Sequence, residues 1–141
     1  MNAYIDASVV LRVILDQPGP LKDWKEIDRA ISSRLLGVEC LRAVDRLRLL
    51  ADSNELRLAQ RRGSLLDVLA RIDVVPLDER VLDRAGEPFP MGLGTLDAIH
   101  LASALAAREG VENLVFATHD RSLGTAALAM GFTVIGMAVP G

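Results

Sequence analysis

A chain of 141 residues, half of them apolar but only 4% aromatic, is long enough to bury one core and has few rings on which bases could stack, which argues against a single-strand binding platform. Its formal charge of −3 gives no whole-molecule attraction for a polyanion, so any contact with nucleic acid must come from local clustering. The single cysteine, Cys40, excludes an internal disulfide and reads as a small buried thiol in a reducing compartment.

Taken in chain order, "AYIDASVVLRVIL" reads as a strand followed by a helix, and "QPGP" at 17–20 breaks it. "AISSRLLGVECLRAVDRLRLL" starts as a short strand and becomes a helix, with Val38, Leu41, Val44 and Leu47 three apart along one stripe. A second helix is predicted from about Asn54 to Ile72, then a strand at "DVVPL" and a short helix at "DERVLDRAG" stopped by glycine. The loop "EPFPMGLG" leads to Thr95, the predicted N-cap of a strong helix, "LDAIHLASALAARE", which ends at Gly110. "NLVFAT" is a strand, "HDRSLGTAALAMG" a helix and "FTVIG" the last strand. Strands separated by helices imply parallel pairing, so the expected fold is a three-layer α/β/α sandwich with a central parallel sheet, one domain over 1–141.

The N-terminus lacks the basic start and long apolar run of a secretory signal, which points to the cytoplasm. The uncharged stretch from Ser122 to Gly141 is nominally long enough to span a bilayer. Its Gly124, Gly131, Gly136 and Pro140 divide it instead into a short helix, a glycine stop and a strand, so no membrane association is expected. Charge is unevenly spread. Between Arg42 and Arg62 six arginines stand against Asp45, Asp52 and Glu55, a local +3 that leaves −6 elsewhere.

Four acids adjoin apolar runs and need an explanation. Asp6 follows the first strand, Glu39 lies early in the helix after the second, Asp97 comes two residues past Thr95, and Asp120 follows "LVFAT". Each has a simpler reading alone: Asp6 and Asp120 as helix caps, Asp97 as a complement to the helix dipole, Glu39 as the partner of Arg42 or Arg46. In a parallel sheet with helical crossovers, however, strand carboxyl ends and helix N-termini share one edge, and the four acids should converge there. Two carboxylates about 5 Å apart repel by roughly 3 kcal/mol at an effective dielectric near 20, so such a cluster calls for a divalent cation. All-oxygen donors suit Mg²⁺ or Mn²⁺ rather than zinc, and ions so held serve phosphodiester hydrolysis.

"YIDASVVL", "VECLRA", "LDAIHLASAL" and "FATHDRSL" resemble the four acidic signatures of PIN-domain ribonucleases, specifically the small VapC-like toxins of bacterial toxin–antitoxin pairs, and the resemblance runs from Asn2 to Gly136. It implies that Asp6, Glu39, Asp97 and Asp120 form the catalytic, metal-binding quartet. Ser8 and Thr118 match positions whose hydroxyls hydrogen-bond the carboxylates or metal-bound water. It further implies endonucleolytic cleavage of a structured RNA, tRNA or ribosomal RNA, with one or two Mg²⁺ or Mn²⁺ ions, an antitoxin partner laid over the active-site groove, and a homodimer. Many relatives carry another acid just after the last signature, where this chain has Arg121 and Ser122, so the second ion is open.

Arg42 and Arg46 follow Glu39 on adjoining helix faces and could guide a phosphodiester, or simply neutralise Glu39 or face water. His100, three past Asp97, reads as a packed or surface imidazole, and His119 as pointing away from its neighbour Asp120. Trp24 in "KDWKEI" reads as a surface-capping aromatic. Other classes fit poorly. A phosphoacceptor receiver needs a lysine late in the sheet, but the only lysines are Lys22 and Lys25. A haloacid-dehalogenase-like site needs an acid where Ser8 stands, and "GLGTLD" lacks the third glycine of a dinucleotide fingerprint. The remaining rival is a PIN-like module that binds RNA or protein without cutting.

Overall fold

The computed structural model describes residues 1–50 and 52–138. Five short strands alternate with helices: β1 (Asn2–Ile5), α1 (Ala7–Ile14), β2 (Arg29–Ser33), α2 (Leu35–Arg46), α3 (Glu55–Leu69), β3 (Asp73–Val75), α4 (Glu79–Gly86), α5 (Thr95–Arg108), β4 (Val115–Ala117), α6 (Arg121–Ala129) and β5 (Val134–Ile135). The strands form one sheet in the order β3-β2-β1-β4-β5, every pair parallel. Helices cover both faces, giving the three-layer α/β/α sandwich.

The alternation of side chains along each strand decides which layer each helix joins. Ala3 and Ile5 turn to one face and pack with Val9 and Val10 of α1, Leu36, Cys40 and Val44 of α2, and Leu65 of α3. Tyr4, Ile31 and Phe116 turn to the other and pack with Leu101 and Ala104 of α5 and Leu123, Ala126 and Ala127 of α6. Each large apolar side chain fully withdrawn from water contributes roughly 1.5–3 kcal/mol. The buried stripe of α2 is therefore Leu36, Cys40 and Val44, four apart, whereas Val38 of the predicted stripe is 60% exposed. Cys40 is a buried free thiol.

Two further details differ from the sequence reading. Gly94 is the N-cap of α5, and Thr95 is its first helical residue. The helix after Asn54 ends at Leu69, with the Asn54 side chain capping it through the Arg57 amide. In the apolar C-terminal stretch α6 closes at Ala129 and Gly131 turns the chain at φ +87 before β5. No helix among the described residues is long and apolar enough to cross a membrane, and Pro140 lies outside the described residues.

The strand order has one consequence for the site. After β3 the chain leaves one edge and returns on the far side of β1, so β1 and β4 are neighbours at the point where the winding direction reverses. In open parallel sheets the crevice beyond the strand ends at such a reversal is where ligands sit.

Candidate metal centre and its neighbours in known proteins

Asp6 leaves β1 at that reversal. It caps α1, accepting from the Val9 amide at 3.3 Å, yet its two oxygens are also claimed by hydroxyls: Ser8 Oγ donates to Oδ1 at 2.6 Å and Thr118 Oγ1 to Oδ2 at 2.5 Å. Each hydroxyl in turn accepts a backbone amide from the turn after β4, Ser8 from His119 at 2.9 Å and Thr118 from Asp120 at 3.0 Å. The two loops are thus locked together through one carboxylate, in a chain of bonds that polarise each other. Burial pushes the Asp6 carboxyl above its ordinary pKa, against the pull of the Ser8 and Thr118 hydrogen bonds. Asp120 caps α6 through the Leu123 amide at 2.9 Å and is exposed. The capping reading is therefore correct for Asp6 and Asp120, and it leaves Asp6 oxygens facing hydroxyls rather than water.

Asp97 stands in the first turn of α5 and is partly buried. Its carboxyl is raised by burial first and then by the charges of Asp120, Asp6 and Glu39, with His100 opposing. All four acids thus share one electrostatic neighbourhood. The Cys40 thiol feels two of them: burial above all, then Glu39 and Asp6, push it up to about 12, so it stays protonated and inert.

Glu39 does not pair with either arginine. Its Oε1 meets His100 Nε2 at 2.5 Å, while Arg42 turns to Asp45 at 3.6 Å and Arg46 is exposed. His100 is 2% exposed, and its Nδ1 lies 2.8 Å from the Tyr4 hydroxyl. Of the two readings the sequence left open, packed or surface, the imidazole is packed, and its attachment to Glu39 was not expected. His119 does turn away from Asp120, its Nδ1 reaching the Gly136 carbonyl at 2.8 Å. Trp24 sits in a 3-10 turn, partly buried against the core.

The donor set tests the case for an ion. Four carboxylates, those of Asp6 and Asp97 raised, with no thiolate among the donors suit a hard divalent cation. Among the described residues, no group of three or more His, Cys, Asp or Glu side chains is arranged to hold an ion as it stands. The fit is one of donor chemistry and shared field, not of a closed cage. Two cavities lie apart from the acids. One of about 760 Å³ separates α4 from α5, and its Arg80 and Arg84 are paired with Glu109 and Glu87. The other, about 570 Å³, runs between α2 and α3 and is lined by Arg42, Arg48 and Arg62 with Asp45 and Glu55, beside Leu41 and Leu58; Arg42 and Arg48 both pair with Asp45.

The turn that carries Thr118 is braced from β5. Gly136 adopts φ +89, and a Cβ there would stand 2.8 Å from the Thr118 carbonyl oxygen and 3.0 Å from Leu21. Gly136→Ala is accordingly expected to cost about 1–3 kcal/mol, read as a lower urea midpoint at unchanged slope. A midpoint equal to wild type would show that the turn relaxes freely.

The family model described as PIN domain matches residues 3–127. Ribonuclease VapC46 of Mycobacterium tuberculosis (strain ATCC 25618 / H37Rv) is 36% identical over 135 residues, 94% of this chain and 95% of that protein. Ribonuclease VapC47 of Mycobacterium tuberculosis (strain CDC 1551 / Oshkosh) is 31% identical over 136 residues, 92% of each. Two crystal structures share the fold. VapBC2 from Rickettsia felis, bound to a DNA fragment from their promoter, superposes with a TM-score of 0.65 at 14% identity over 95% of this chain and 97% of that one. PAE2754 from Pyrobaculum aerophilum does so with 0.60 at 22% identity, over 95% and 83%. With a PIN-domain match over most of its length and these curated relatives, the chain belongs to the PIN-domain family, among its VapC-like members.

Proposed function

We propose that this protein is a single-domain, cytoplasmic endoribonuclease toxin that hydrolyses phosphodiesters of a structured RNA, tRNA or ribosomal RNA, with Mg²⁺ or Mn²⁺, and is silenced by a cognate antitoxin. The observation that carries the reading is the PIN-domain match over residues 3–127, together with Asp6 held at the reversal of the sheet by Ser8 and Thr118 and Asp97 raised by burial first and then by Asp120, Asp6 and Glu39. The ribonuclease names of the two curated relatives support it, and the antitoxin partner draws on the VapBC complex. Asp6, Glu39, Asp97 and Asp120 would hold the cation. When bound, it makes water a nucleophile at neutral pH and offsets charge on the phosphate and leaving oxygens.

The chain's own residues prepare that chemistry. Ser8 and Thr118 keep Asp6 in one orientation, so the buried acid is an immobile anchor. Asp97 and Asp120 stand nearer solvent, where a phosphate can approach. Arg42 and Arg46 on α2 would draw the RNA backbone in, Arg46 being exposed and Arg42 paired, among the described residues, only with Asp45. A homodimer completes the proposal.

The purified protein, incubated with total cellular RNA and Mg²⁺ or Mn²⁺, is expected to create discrete new 5′ ends that disappear with excess chelator. Mn²⁺ should also raise the melting temperature at neutral pH, since a ligand that binds only the folded state stabilises it. The competing reading, a module that binds without cutting, has one observation in its favour: no three of the acids are arranged to hold an ion as they stand. Absence of new ends with either cation, together with an unmoved melting temperature, would establish that reading instead.

A further inference from the structure

The chain Tyr4–His100–Glu39 runs between β1, α5 and α2, its first two members buried and the third partly so, and the proposed hydrolysis uses neither of those first two. We infer that His100 is a positioning residue: anchored by the Tyr4 hydroxyl, it holds one oxygen of Glu39 so that the other is presented to a divalent cation. This rests on the reading of Glu39 as a cation-holding residue.

Both ring nitrogens are engaged, Nδ1 with Tyr4 at 2.8 Å and Nε2 with Glu39 Oε1 at 2.5 Å, and the ring is 2% exposed. A carboxylate can only accept, so Nε2 must carry a proton. The Tyr4 hydroxyl, fully buried, fixes the other end of the ring: with the hydrogen on Nε2 aimed at Glu39, Nδ1 is left to accept from that hydroxyl. Without the tyrosine hydroxyl, the ring loses the partner that holds its far side in place and is freer to turn its Nε2 away from Glu39.

Tyr4 is itself immobile. Its ring stacks on Phe116 at 5.2 Å and 24° and meets the His100 ring edge-on at 6.0 Å and 78°. Its position two residues before Asp6, and that of His100 one turn after Asp97, tie the alignment of Glu39 to the two elements that carry those acids. The arrangement also explains why Glu39 ignores Arg42: its charge is already satisfied from within. A partner of this kind on a metal-holding side chain is typically worth 10–100-fold in metal affinity.

The test is calorimetric titration of the full chain with Mn²⁺ alone, alongside the Mn²⁺ concentration for half-maximal RNA cleavage and melting in chelator. His100→Leu, which keeps the volume and loses the donor, is expected to weaken Mn²⁺ binding about 10–100-fold and to shift the half-maximal concentration by the same factor. His100→Gln, whose amide restores an N–H, should recover much of that loss. Tyr4→Phe, which keeps the ring, should weaken binding several-fold in the same direction. A purely structural role would lower the melting temperature and leave the affinity of the folded protein unchanged. If His100→Leu does not fold, Tyr4→Phe and His100→Gln carry the comparison. Wild-type affinity in folded His100→Leu, or in Tyr4→Phe where His100→Leu does not fold, overturns the inference alone; a wild-type protein that binds no Mn²⁺ overturns it together with the cation reading of the site.

Discussion

Asp97→Asn is expected to lower RNA cleavage by at least roughly 10³-fold while leaving the fold intact. A bound cation contributes several kcal/mol to the transition state, and each 1.4 kcal/mol is a decade in rate. The amide has the size of the carboxylate but not its charge. Stability should move the other way. Asp97 has a carboxyl whose pKa is raised in the folded protein, by burial first and by Asp120, Asp6 and Glu39 after it. For an acid shifted upward, the folded state binds the proton more tightly. Its contribution is therefore most favourable below the unfolded value near 3.9 and is lost as pH rises through the folded value. At neutral pH in chelator the wild type carries the whole of this unfavourable charge, and the asparagine variant does not. The variant should melt no lower than wild type there, with any gap closing as the pH is taken down to about 4. Wild-type cleavage by the purified variant would remove Asp97 from the reaction. A variant that melts well below wild type in chelator would refute the repulsion among the acids.

Phe116→Ala should be the most damaging of the core substitutions, at about 3–5 kcal/mol, a fall in melting temperature of roughly 10–15 °C. Phe116 is fully buried in β4. It stacks on Tyr4 on one side and meets Phe132 at 5.5 Å and 61° on the other, so truncation opens a cavity inside the only aromatic stack among the described residues. Leu128, half exposed on α6, is the matched control: its truncation should change stability by less than about 0.5 kcal/mol. Urea unfolding of the two variants reads the contrast directly. Equal midpoints would mean that the aromatic stack contributes no more than a surface leucine. Because Tyr4 rests on Phe116, cleavage per folded molecule should fall as well.

The alternation of elements was legible because each is short and bounded by clear punctuation, such as "QPGP" before β2 and Gly110 after α5. The end of β1 and the start of α5 could be placed within a residue, and with them Asp6 and Asp97. What periodicity could not supply was the azimuth of a helix. A three-residue spacing chose Val38 for the core of α2, whereas the sheet selected Leu36, Cys40 and Val44, because the angle at which a helix meets its sheet is a tertiary property. The same limit hid His100. Its partners lie 96 residues back at Tyr4 and 61 back at Glu39, and no local pattern reports such a meeting. One sign was present: an imidazole on the inner side of an otherwise aliphatic helix, one turn from an acid, and a tyrosine within a strand of small and aliphatic residues. The simpler reading of Glu39, a pair with Arg42 or Arg46, failed for the same reason, since a partner one turn along its helix is visible in sequence and one across the core is not.

The placement of β4 beside β1 has a consequence for the order in which the molecule is made. A nascent chain of a hundred residues already carries Asp6, Glu39 and Asp97, but β1 has no neighbour on its second side and the Oδ2 of Asp6 has no Thr118. Until β4 and the turn after it have emerged, one oxygen of Asp6 has no donor and one side of β1 stands open, so the arrangement around that carboxylate is completed only as the last part of the chain docks.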